Sequence, residues 1–179
     1  MKYLLLRAAA AAAIIAGAIV PGFAQDGEPF ARFQYWDLHV LDEPAGKTCI
    51  VASRPIESQP TTVVRNGQQV AIVRSAITFM ITDWPADGLQ NEVHVQMGYP
   101  LAGDVSVTVD DEATFTMTIT DNEGAWLPTA VEDNLLTAAM MRGRTMAVRG
   151  RSTRGTDTVD TYSLYGVTDA LARAAEECA

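Results

Sequence analysis

Residues 154–166, RGTDTVDTYSLYG, gather the most chemistry in the chain: Arg154, Asp157 and Asp160, with the hydroxyls of Thr156, Thr158, Thr161, Tyr162, Ser163 and Tyr165. The only imidazoles are His39 and His94. A nucleophilic set could be drawn from Ser163, His94 and Asp160, but no GxSxG elbow is present and Ser163 falls inside a strand pattern. A metal site could be drawn from His39, His94 and Glu92 only if their strands were neighbours. Both histidines alternate with apolar residues and read as solvated strand positions. No P-loop, dinucleotide fingerprint or EF-hand occurs, and paired carboxylates discriminate nothing in a chain with 22 acids. The reading is of no catalytic residue, no metal and no cofactor.

A strand geometry divides the hydroxyls of DTYSLYG. Asp160, Tyr162 and Leu164 share one face and Thr161, Ser163 and Tyr165 the other, which is poor geometry for one catalytic cluster. Tyr162 reads as a core aromatic whose hydroxyl finds a partner, and RGT as the turn that launches the strand. The binding candidates are Asp160 and five arginines within 13 residues: Arg142, Arg144, Arg149, Arg151 and Arg154. In an acidic chain these form a local basic patch, and guanidinium groups favour bidentate recognition of carboxylate or phosphate. The bland alternative is helix-dipole complementation and pairing with acids.

The elements that must position these residues show period two. Trp36, Leu38 and Val40 alternate with Asp37 and His39, and Val93, Val95 and Met97 with Glu92, His94 and Gln96. Val105, Val107 and Val109, then Phe115, Met117 and Ile119, make a hairpin with one apolar face, turned at residues 110–112. Asn66-Gly67 marks a second hairpin between TTVVR and QQVAIV. Helical spacing from Thr129 to Arg142 puts Val131, Leu135, Ala138 and Ala139 on one stripe, with Gly143 as a left-handed cap. Thr168 starts a second helix as N-cap, with Leu171, Ala174, Ala175 and Cys178 inward. Trp126 in EGAWLP is expected to be at least half buried, anchoring the first helix. The fold class is mainly β, an antiparallel immunoglobulin-like β-sandwich with two short helices, one C-terminal.

Lys2 and Arg7 precede an apolar run from Ala8 to Val20 and the small residues up to Ala24, the pattern of a secretory signal peptide. The run is shorter than the roughly 20 residues of a spanning helix. Residues 1–24 are read as the signal and 25–179 as a single sandwich domain, with no transmembrane segment in the mature chain. That chain keeps 11 basic against 22 acidic side chains, a net charge of −11. Nucleic acid is excluded as a partner, because binding it requires many cations. The two cysteines, Cys49 and Cys178, are expected to be bonded in an oxidising compartment; neither has a nearby histidine or CxxC spacing.

NEVHVQMGYPL, EGAWLP, MRGRTMAVRG and SxRGTxTxDTYSLYG, in that order before a terminal helix ending in EEC, resemble the invasion associated locus B family from Trp36 to Cys178. The motifs fall on Gly98, Tyr99, Pro100, Trp126, Gly150, Ser152, Arg154, Gly155, Asp160 and Tyr162, among others. The resemblance implies an exported protein with an immunoglobulin-like sandwich, no established reaction, and an accessory role in host-cell invasion for which the family is named. VVRNGQQVAIVRSAITFM departs from the pattern by lacking a Pro-containing strand end, which leaves the register between 69 and 90 open. The functional expectation is a periplasmic protein, outer-membrane associated or secreted, acting as a non-catalytic module on a protein or anionic envelope component. The alternative is a small periplasmic hydrolase, favoured by a polar pocket near His94 or Asp133.

Overall fold

Alternating apolar residues become inward faces only when strands pair, and the computed structural model, which describes residues 28–179, shows how they pair. The expected signal peptide and its cleavage point lie outside the described residues. β1 (Ala31–Phe33), β2 (Trp36–Glu43) and β3 (Gly46–Ser53) lead to the short β4 (Glu57–Gln59). β5 (Thr62–Arg65) and β6 (Gln68–Ala71) form a hairpin over Asn66-Gly67, followed by β7 (Thr78–Trp84) and β8 (Leu89–Gln96). β9 (Val105–Val109), β10 (Ala113–Met117), β11 (Ile119–Asp121) and β12 (Gly124–Trp126) precede α1 (Ala130–Arg142). β13 (Thr145–Arg151), β14 (Asp157–Ser163) and α2 (Val167–Glu177) complete the chain.

One sheet has seven strands in the order β1-β2-β3-β7-β8-β12-β11, and the other five in the order β10-β9-β13-β14-β4. The inward residues of both fuse into one core around Trp36, Leu38, Phe79, Val93, Val107, Val148 and Tyr162. Phe79 sits edge-on to both Trp36 and Tyr162, with ring centroids 6.3 and 5.7 Å apart. This is the expected antiparallel sandwich, and the open register resolves into the pairing of β7 between β3 and β8, with an irregularity between Thr82 and Trp84.

The 114–120 stretch is not one strand. It leaves the five-stranded sheet as β10 and joins the seven-stranded sheet as β11 across Thr118, so Met117 is buried while Ile119 is 52% exposed. Period two is broken at the corner, where the chain closes one edge of the sandwich.

α1 departs from its expected face, whereas α2 keeps Leu171, Ala174 and Cys178 inward as expected. In α1 the buried residues are Asp133, Leu136, Thr137, Ala139 and Met140, and Val131 and Leu135 are exposed. Asp133 turns inward because its carboxylate accepts the Val93 N–H at 3.0 Å. Thr129 does cap this helix, accepting from the Glu132 N–H at 3.2 Å. Gly143 has φ −83° and is not a left-handed cap; a Cβ there would lie 2.5 Å from Val109 Cγ1, so close packing requires the glycine. In α2 the N-cap is Gly166, whose φ of 96° and approach to the Phe33 carbonyl exclude a side chain. Thr168 lies inside the helix and donates to the Met141 carbonyl, and Ala175 is exposed while Val167, Ala170, Leu171 and Ala174 are buried. Cys178 is buried and bonded to Cys49 of β3 across 129 residues, tying α2 to the seven-stranded sheet.

Candidate groove at one end of the sandwich

The motif residues GYP and SxRGT meet at one end of the sandwich. Thr153 N–H donates to the Pro100 carbonyl and Ala102 N–H to the Arg151 carbonyl, strapping the 98–102 segment to the 151–156 loop. That loop is closed on itself by Ser152 N–H to the Thr156 carbonyl and Thr156 N–H to Ser152 Oγ, with Gly155 at φ 80°. RGT is thus the turn that launches β14. Gly98, at φ 72°, would place a Cβ 2.8 Å from the Ser75 carbonyl, so its glycine is dictated by the close approach of residues 74–75.

Arg74 arrives through that approach. Its guanidinium makes a bidentate pair with Asp160, 2.7 and 2.6 Å, and its Nε donates to the Met97 carbonyl at 2.9 Å. The same group stacks over Tyr99, 4.8 Å from the ring centroid, and Tyr99 Oη shares a 2.7 Å hydrogen bond with Thr158 Oγ1. Side-chain exposure is 9% for Arg74 and 0% for Asp160. Burial raises the pKa of Tyr99 above the ordinary phenol value, and that of Tyr162 further, so both hydroxyls stay protonated.

Over this floor lies an open groove of about 740 Å³. One wall is the β5–β6 hairpin and the chain after it, with Val63, Arg65, Ile72 and Val73; the other is the 152–156 loop with Thr153, Arg154 and Thr156. Glu123 joins the lining and is engaged by Ser75 Oγ at 2.6 Å and Gln96 Nε2 at 3.0 Å.

Asp160 is therefore not a recognition-surface residue: a carboxylate on the inward face of β14 must be neutralised, and Arg74 does so from 86 residues away. The five arginines do not form one patch. Arg142 and Arg144 flank the end of α1 while Arg154 sits in the groove, separated by the length of β13 at roughly 3.3 Å per residue, or about 23 Å. Arg149 and Arg151 share the exposed face between them, and Arg151 pairs with Asp157 at 3.3 Å. Arg65 and Arg74 escape sequence reasoning, although a lone arginine within the apolar AIVRSAITF was a visible signal for a paired cation.

Ser163, His94 and Asp160 do not converge: Asp160 faces the interior, and His94 lies on the outer face of the seven-stranded sheet. His39 and Glu92 share that outer face but belong to strands separated by β3 and β7, about 14 Å at sheet spacing. No metal-ligating cluster occurs among the described residues. Tyr162 is in the core as read, but its hydroxyl has no hydrogen-bond partner among the described residues. Trp126 is largely buried, and its ring stacks on His94 with centroids 4.2 Å apart on the outer face of the sheet; its neighbours Ala125 and Leu127 face the core.

His94 is accordingly not a solvated strand histidine. Burial lowers its pKa to about 4, and Nε2 has no partner. Between the ordinary value of 6.5 and about 4, the unfolded chain takes up a proton at this residue and the folded chain does not. His94 thus contributes stability above pH 6.5 that is lost as pH falls through this window. Unfolding midpoints followed against pH should decline there, and the decline should flatten in His94→Phe. An identical profile in the variant would remove His94 as its source.

The sequence profile of the family described as Invasion associated locus B (IalB) protein matches residues 36–175. The crystal structure of invasion associated protein B from Bartonella henselae superposes with a TM-score of 0.53 at 14% identity, covering 82% of this chain and 95% of that one. That likeness carries the fold. No curated protein matches the chain in sequence.

Proposed function

From the membership of this chain in the invasion associated locus B family, we propose that it is an exported envelope protein, periplasmic and outer-membrane associated or secreted, that acts as a non-catalytic interaction module accessory to host-cell invasion. The observation that carries this reading is the end groove: a rigid floor of mutually satisfied groups beneath two exposed arginines. Its polar lining consists of hydroxyls, guanidinium groups and one engaged carboxylate, Glu123, an arrangement suited to holding a partner. Both histidines lie elsewhere, and Asp133, the other acid that could favour a hydrolase, is spent on the Val93 N–H. The basic leader with its apolar run, and a disulfide that an oxidising compartment would preserve, support export. Among the described residues no helix is long and apolar enough to cross a membrane.

The test is fractionation of the native host followed by crosslinking in the intact envelope. The protein is expected outside the inner membrane, as a chain starting at Gln25, crosslinked to a macromolecular partner. A cytoplasmic chain retaining residues 1–24 would overturn the reading.

A further inference from the structure

Resting on that reading of the groove as the recognition site, we propose that its occupant is an extended acidic peptide segment, with carboxylates held by Arg65 and Arg154 and apolar side chains laid against Val63, Ile72 and Val73. Arg65 and Arg154 are both exposed, line the same groove, and make no ion pair among the described residues, although the chain holds 22 acids that could have neutralised them. The third arginine of the groove, Arg74, is consumed by Asp160 and adds no net charge. What reaches a ligand is therefore two separate planar forks, each matched to the two oxygens of a carboxylate.

The apolar wall on the Arg65 side decides the rest of the ligand. Val73 is 91% exposed and lines the groove together with Val63 and Ile72, an apolar surface that a purely polar polymer would leave uncovered. A polyanionic polymer also meets two obstacles: only two free cations in the groove to neutralise it, and Glu123 in the lining of a protein with net charge −9. A peptide alternating acidic and apolar side chains satisfies both the forks and the valine wall. The volume of about 740 Å³ falls within the ~300–1,000 Å³ of sites that hold a drug-sized ligand.

The test is fluorescence anisotropy of the mature protein with a labelled peptide of alternating glutamate and valine, its glutamine-valine counterpart, and a labelled heparin fragment. The glutamate peptide should bind, weaken as salt rises, and lose about tenfold or more in affinity in Arg65→Ala/Arg154→Ala. Arg142→Ala/Arg144→Ala, at the far end of β13, should bind like the parent. Unfolding midpoints and a charge reversal at a single site, Arg154→Glu, guard against a folding artefact. Equal binding of the glutamine peptide, tighter binding of heparin, or an unchanged affinity in the groove variant would overturn the proposal. Envelope crosslinks that persist in Arg65→Ala/Arg154→Ala would refute this ligand assignment alone and leave the interaction-module reading standing.

Discussion

Asp160→Asn should destabilise the protein by about 4 kcal/mol, within the roughly 3–5 kcal/mol range for removing one partner of a buried ion pair. The substitution keeps the shape of the side chain but leaves the Arg74 guanidinium in a site where only 9% of its side chain meets solvent. The loss extends along the network. Arg74 holds the Met97 carbonyl and stacks on Tyr99, and through them fixes the 97–100 segment that forms part of the groove floor. Replacing both partners by apolar residues of similar volume, Arg74→Met with Asp160→Leu, should recover much of the stability, because no unpaired charge is then buried. Denaturant unfolding of Arg74→Met, Asp160→Leu and the double variant measures the coupling directly. Losses that simply add, with no recovery in the double variant, would show that the pair does not act as a unit.

Removing the bond between Cys49 and Cys178 should cost up to about 5 kcal/mol, the chain-entropy figure for a closed loop of 129 residues. The native structure makes this an upper value. α2 also buries Val167, Ala170, Leu171 and Ala174, and Lys47 reaches Glu177 at 3.2 Å, so packing holds part of the helix without the bond. The exposed Lys47–Glu177 pair adds little by comparison. Mass analysis of unreduced protein should find no alkylatable thiol, and unfolding midpoints should fall in reductant and in Cys49→Ala/Cys178→Ala. An equal midpoint in all three states would mean that packing alone holds α2.

Particular residues show where local pattern suffices and where it fails. Val105, Val107 and Val109 are all buried at the spacing of their own strand, and the first helix begins at Thr129 because its capping group is three residues from its partner. The same rule of period two, carried past Met117, places Ile119 on the wrong side, since the chain changes sheets at that point. The α1 stripe fails for a related reason. Spacing identifies a helix with apolar positions, but the choice between Val131/Leu135 and Leu136/Met140 depends on which face meets β8, and Asp133 takes an inward place only because a free Val93 N–H waits there.

By itself the sequence determined what depends on neighbours a few residues apart: the alternation within each single strand, the two helices, the Asn66-Gly67 turn, the RGT turn and the excess of negative charge. With only two cysteines in the chain, it also left a single possible intramolecular bond. Tertiary structure alone decided which groups meet across long separations. Arg74 and Asp160 are 86 residues apart and nothing in their local spacing names the other, whereas the burial of both makes pairing obligatory. The arginines of 142–154, close in sequence, are drawn apart because an extended strand adds about 3.3 Å with each residue. The groove follows from the same physics: its walls come from β5–β6 and from the loop before β14, brought together only when the core between the sheets closes.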